Sequence, residues 1–166
     1  MSTDSLKVLI IAGGLTHERD VSVRSGRRVA NSLINQGFDA KVVDFDQNLP
    51  AEISAFGPDV VWPLVHGSLG EDGSLQSLLE GVGVPYVGST PAQAMLASNK
   101  PTAKALVGAA GLDTPGWIAL PQLLFRQLGA HIVLGMINSS LTFPLVVKPS
   151  SGGSALGMSR AQDSSD

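Results

Sequence analysis

Cysteine is missing altogether from this 166-residue chain, which excludes disulfides, thiolate zinc sites and cysteine nucleophiles together. Histidine is scarce. His17, His66 and His131 are too scattered to suggest a His-rich metal site. Charge is thin as well: 15% of residues are charged and the formal net charge is −3. No block of lysine and arginine occurs, so a general nucleic-acid or acidic-membrane binder is not expected. Long apolar runs are absent too. The N-terminus, MSTDSLKVLIIAGG, has an apolar run of a few residues behind an acidic one, too short for a membrane span and wrong for a signal peptide. The expected compartment is the cytoplasm, with no membrane insertion.

What is present is a globular composition, 43% apolar, in a chain long enough for one ordinary domain or two small ones. KVLIIAGG is a continuous β-branched run ending in two glycines, as a buried parallel strand feeding a turn should be. VSVRSGRRVANSLINQG follows, with Val21, Val29, Leu33 and the closing Gly37 marking a helix with a glycine C-cap. FDAKVVDFD reads as a second strand, AEISAFG as a short helix and DVVWPLV as a third strand. This is a βαβαβ pattern, and it predicts an α/β fold with a parallel sheet covered by helices.

Beyond LQSLLEGVG, a helix, VPYVGST gives a short strand and turn. Residues 91–112 read as helical, with Pro101 opening a new helix. WIAL reads as a strand, and QLLFRQLGAHIVLGMINSSL as helical with a break near Gly129. FPLVVKPSSGGSALGMSRA then reads as strand, Gly/Ser loop, strand. The expected organisation is a first domain over residues 1–90 and an α+β unit over 91–166. GMSRA looks like a strand that should lead into a helix, so the second unit is expected to be incomplete. Its apolar segments IVLGMI and PLVV would then be partly uncovered.

Three stretches could carry chemistry. In GGLTHERDVSVRSG, residues 13–26, Glu18, Arg19 and Asp20 lie at the carboxyl end of the first strand, where open parallel sheets bind ligands. The dinucleotide pattern G-x-G-x-x-G is not there. Carboxylates would repel a phosphate but suit an ammonium or hydroxyl group. The bland alternative has Thr16 or Asp20 capping the next helix and the others solvated. In VHGSLGEDGSLQSLLE, the ligand alternation of a calcium loop is lacking. Glu71, Asp72, Gly73 and Ser74 read as a loop and helix start, so Glu71→Gln should act mainly on stability. His66 follows the third strand directly, on the same edge as Glu18, and is either structural or a site residue. In VVKPSSGGSALG, Lys148 and the Ser/Gly loop after it suit phosphate: an ammonium for charge and backbone N–H groups for the oxygens. An ordinary hairpin with a solvated lysine is the alternative. Lys100 is a weaker candidate for the same nucleotide, and Lys104 reads as its solvated neighbour.

The order of these blocks is more specific than any one of them. GG-x-T-x-E-x-x-VS-x-x-SG, HG-x-x-GEDG-x-x-Q-x-x-LE, PY-x-GS, NK-x-x-x-K and FPLVVKP-x-x-GGSALG follow one another from Lys7 to about Arg160. The series resembles the N-terminal half of the D-alanine–D-alanine ligases of the ATP-grasp superfamily. That resemblance implies a Rossmann-like pre-ATP-grasp domain followed by an incomplete α+β ATP-grasp subdomain. It also implies ATP-dependent joining of two D-alanines through an acyl phosphate, for peptidoglycan precursor synthesis. Glu18 would hold the ammonium of the first D-alanine, and Ser154 would bond into the same site and help position Glu18. His66 would line that pocket. Lys100 and Lys148 would contact ATP, and the loop with Ser150, Ser151, Gly152 and Gly153 would close over its phosphates.

Ser77, Asn99 and Ala155 depart from the family's usual glycine, aspartate and serine, none of them at Glu18, His66 or Lys148. The family's Mg2+ carboxylates and second-substrate site fall beyond residue 166, so no metal ligand is expected in this chain and residues 1–166 alone should be inactive. A homodimer is implied by resemblance alone. The competing readings are another ATP-grasp carboxylate–amine ligase, or a ligand-binding module without catalysis.

Overall fold

The computed structural model describes residues 5–138 and 140–163. The chain forms two compact units, Met1–Ser98 and Asn99–Asp166, so the helix Pro91–Ser98, which the sequence grouped with the second half, compacts with the first.

In the first unit, among the described residues, three parallel strands, β1 (Lys7–Ala12), β2 (Asp39–Asp44) and β3 (Val60–Pro63), lie in the order β2-β1-β3. β1 is central and buried on both faces, which is why its sequence runs apolar without alternation. Leu9 and Ile11 pack with Val43, Leu49, Val61, Val65, Leu75 and Leu79 on one face; Val8 and Ile10 pack with Ala30 on the other. The segment after Val84, expected to be a short strand, contributes a single parallel bridge, Tyr86 to Val61.

α1 (Arg19–Asn35) joins β1 to β2, and the chain leaves it at Gly37 with φ +88°. Its buried residues are Ser22, Gly26 and Ala30, a stripe of small side chains at every fourth position. Gly26 is required by the close approach: a Cβ there would lie 2.7 Å from that of Ala12. Val21, expected on the apolar face, is exposed, while Val29 and Leu33 do pack on the core. α2 (Leu49–Phe56) and α3 (Ser74–Gly81) supply Leu49, Leu75 and Leu79 to the opposite face, and α4 (Pro91–Ser98) completes the unit.

The second unit begins with α5 (Lys100–Ala109). Asn99 caps it, its side-chain oxygen accepting from the Thr102 N–H at 3.0 Å, and Pro101 sits in the first turn. α6 (Gln122–Leu128) and α7 (Ala130–Ile137) are separated at Gly129, where a break was expected. WIAL, expected as a strand, has no regular structure. A strand exists through its ladder partner. β4 (Leu145–Val147) and β5 (Ser159–Ala161) pair with each other, and Pro115 and Pro121, flanking WIAL, lack the N–H a ladder needs. Among the described residues, Val133 is the one apolar side chain of this unit that is buried, while Leu123, Met136, Val146 and Val147 are exposed.

Candidate functional site

The carboxyl ends of β1, β2 and β3 are tied together by short polar bonds. Ser22, fully buried on α1, accepts from the Gly13 N–H at 2.7 Å and donates to the Leu64 carbonyl at 2.6 Å. One hydroxyl thus fixes the exits of β1 and β3 relative to each other. Gly14 N–H donates to Asp44 Oδ1 at 3.0 Å, and Arg19 binds the Gly14 carbonyl at 3.1 Å and both Asp44 carboxylate oxygens. The Arg19 guanidinium holds the Asp44 carboxyl down to about 2, against the upward push of burial and with help from the Gly14 N–H.

The loop bearing Glu18 is bound to the loop bearing His66. Thr16 Oγ1 donates to the His66 carbonyl at 3.0 Å and accepts from the Glu18 N–H at 3.3 Å. Glu18 itself occupies the N-cap position of α1 without a side-chain cap bond. Neither Thr16 nor Asp20 caps the helix; Asp20 lies in its first turn, where a negative charge is favourable to the helix dipole. The Glu18 carboxylate reaches Gly67, the residue after His66: a Cβ on Gly67 would lie 2.8 Å from Glu18 Oε2. Gly67 has φ +81°, so both its backbone and the carboxylate beside it favour glycine. Glu18 and His66 therefore lie on one edge of the sheet, as their places after β1 and β3 predict.

The His66 ring, half-buried, has Nε2 3.3 Å from Ser25 Oγ and Nδ1 3.7 Å from Glu71 Oε1. Asp72 behaves as a turn residue: its Oδ1 accepts from the Ser74 N–H at 2.9 Å at the start of α3. Burial pushes the Asp72 carboxyl up, yet the bonds from Ser74 and nearby N–H groups outweigh it and hold the group below its ordinary value. Gln76, buried, donates to the Gly70 carbonyl at 2.9 Å and so braces the same loop.

In the second unit the proposed nucleotide residues partly converge. Lys100 donates twice to the Ser/Gly loop, from its backbone N–H to the Ser150 carbonyl at 2.8 Å and from Nζ to the Gly152 carbonyl at 2.6 Å. Lys148 follows β4 directly and is exposed, as are Ser150, Ser151 and Ser154; Gly153 is half-buried. Ser154 and Ala155 both have positive φ, +50° and +58°. Lys104 is not a solvated neighbour of Lys100. Its Nζ binds the Thr114 hydroxyl and, at 3.1 Å, the Pro115 carbonyl, which clamps the turn after α5. Among the described residues no group of three or more His, Asp or Glu side chains could hold a metal ion.

Ser22, Ser25 and the Arg19–Asp44 pair carry the geometry of this edge but were not singled out by sequence. The spacing Ser22–Gly26–Ala30 was the available signal for the first of them: small residues recurring every fourth position mark a helix face pressed against a sheet.

Comparison with known proteins bears on this edge. The family described as D-ala D-ala ligase N-terminus matches residues 39–89. The D-alanine–D-alanine ligase of Synechococcus sp. (strain JA-3-3Ab) is 37% identical over 161 residues, covering 95% of this chain and 48% of the relative. That of Bordetella pertussis is 36% identical over 166 residues, covering 100% of this chain and 50% of the relative. In three dimensions the D-alanine–D-alanine ligase of Bacillus anthracis aligns with a TM-score of 0.79 at 28% identity, over 97% of this chain and 51% of that one. The crystal structure of the same enzyme complexed with ATP aligns with a TM-score of 0.76. This chain spans about half the length of the curated relatives it matches.

Proposed function

We propose that this chain, which is similar to the N-terminal halves of D-alanine–D-alanine ligases, provides the first amino-acid site of an ATP-dependent ligase joining two D-alanines. The observation that carries this reading is that the loops bearing Glu18 and His66 are bonded through Thr16 on one sheet edge, with the Glu18 carboxylate beside Gly67. A carboxylate held there suits the ammonium of an α-amino acid, and His66 lines the same pocket. Lys100, Lys148 and the loop Ser150–Gly153 are assigned to ATP, whose phosphates need cationic and N–H partners.

The substrate carboxylate attacks the γ-phosphorus of ATP and ADP leaves, giving an acyl phosphate. The amine of a second D-alanine then attacks the acyl carbon and phosphate leaves. In this chemistry the protein supplies position and charge complementarity. Magnesium would neutralise ATP charge when bound. The role is synthesis of a peptidoglycan precursor in the cytoplasm. A homodimer is part of the same reading.

The test is phosphate release and dipeptide formation by the complete gene product given ATP, Mg2+ and D-alanine, with L-alanine as control. D-alanine-dependent release with D-alanyl-D-alanine formed is expected. Release that is absent, or driven equally by another acid, would replace this reading with a different ligase or a non-catalytic binding module.

A further inference from the structure

We propose that Ser25 and Glu71 are positioning residues that hold the His66 ring in its Nδ1–H form beside the Glu18 pocket. The functional half of this proposal rests on the ligase reading above; the structural half does not.

The main chain of His66 is already fixed, since its carbonyl accepts from Thr16 Oγ1 at 3.0 Å. The ring is a separate matter, because two torsions remain free unless its nitrogens find partners. Two side chains from different elements meet them. Ser25 stands on α1 one turn after Ser22, which pins that helix to the ends of β1 and β3; its Oγ lies 3.3 Å from Nε2. Glu71 closes the loop that His66 opens: its N–H donates to the Gly67 carbonyl at 3.0 Å, and its Oε1 lies 3.7 Å from Nδ1.

The chemistry of the two partners selects one neutral form of the ring. At 3.7 Å the pair is an electrostatic contact rather than a hydrogen bond; a carboxylate can only accept, so its charge favours the hydrogen on the nitrogen that faces it. Nε2 then has the lone pair and accepts from the Ser25 hydroxyl, which can rotate to donate. The opposite tautomer would set a lone pair against the Glu71 carboxylate. Glu71 thus differs from Asp72 next to it, whose carboxylate is occupied by the start of α3. A ring bonded at Nε2 and flanked by a carboxylate at Nδ1 keeps one orientation on the edge that also bears Glu18, and small displacements at such a site are expensive in rate.

Ring nitrogen shifts of the 15N-histidine-labelled chain test this directly. The sequence has three histidines, so His66 is assigned by its loss in His66→Gln, and His17 and His131 report on folding. The wild type should show a pyrrole-type shift at Nδ1 and a pyridine-type shift at Nε2, measured above the ring's titration. Glu71→Ala should move the pair toward the opposite tautomer, and Ser25→Ala should move it in the same direction by less. Glu71→Gln, whose amide oxygen can still accept, should restore the wild-type pattern. Identical His66 shifts in the wild type, Glu71→Ala and Ser25→Ala would overturn the positioning claim. In the active gene product, Glu71→Ala should raise KM for the first D-alanine on the order of 10- to 100-fold with a smaller change in kcat. An unchanged KM would overturn the functional half. A wild type without ligase activity would instead remove the ligase reading, while the ring shifts still decide the positioning.

Discussion

Ser22 shows how much one side chain can decide. It is fully buried, and removing its hydroxyl leaves the Gly13 N–H and the Leu64 carbonyl without their partner. Ser22→Ala should therefore cost about 1–3 kcal/mol, read as a lower urea midpoint with an unchanged m-value. The Arg19–Asp44 pair gives a second prediction, in pH. The folded Asp44 carboxyl, at about 2, lies below the ordinary value near ~4. Its stabilisation is complete above the unfolded value and is lost as the pH falls from there through the folded value. Both side chains are a third or more exposed, so solvent screening reduces the contribution to about 1 kcal/mol. Urea unfolding between pH 5 and pH 2 should show that loss in the wild type and not in Asp44→Asn. The places of Glu18 and His66 on one edge of the sheet were legible in the sequence because each lies in the loop that follows a strand. Ser25 and Glu71 were not, because a helix face and a loop had to be folded before either met the ring.

Elements were legible where apolar period and punctuation agreed. The run KVLIIA, the helix closing at Gly37 and the opening of α5 at Pro101 are of this kind. Asn99 caps α5 as a carboxylate would: its amide oxygen accepts from the Thr102 N–H and, at 2.8 Å, from the Thr102 hydroxyl. Asn99→Ala should cost about 1 kcal/mol and Asn99→Asp much less, by thermal melts followed at 222 nm. WIAL misled because its β-forming side chains say nothing about whether a neighbouring strand is there to pair. The buried face of α1 misled in the opposite sense. Val21 drew attention as apolar, but the sheet approaches so closely that Gly26 and its small neighbours face it instead.

At the scale of the whole molecule the two units differ in how well they are covered. The first has apolar clusters on both sides of its sheet, whereas the second leaves Leu123, Leu134, Met136, Val146 and Val147 exposed. Exposed apolar side chains in this number favour association, and the 166-residue chain should bind ANS or self-associate at micromolar concentration. A monodisperse, ANS-silent monomer would contradict that. No described helix is long and apolar enough to cross a membrane. The central claim is that the sheet edge at Glu18 and His66 takes the ammonium of the first amino acid, and it is tested most directly by Glu18→Gln in the complete gene product. The amide keeps the size of the side chain and removes its charge. D-alanine-dependent phosphate release should fall on the order of 100-fold or more, with the unfolding midpoint unchanged. Turnover and KM for D-alanine equal to those of the wild type would contradict the account.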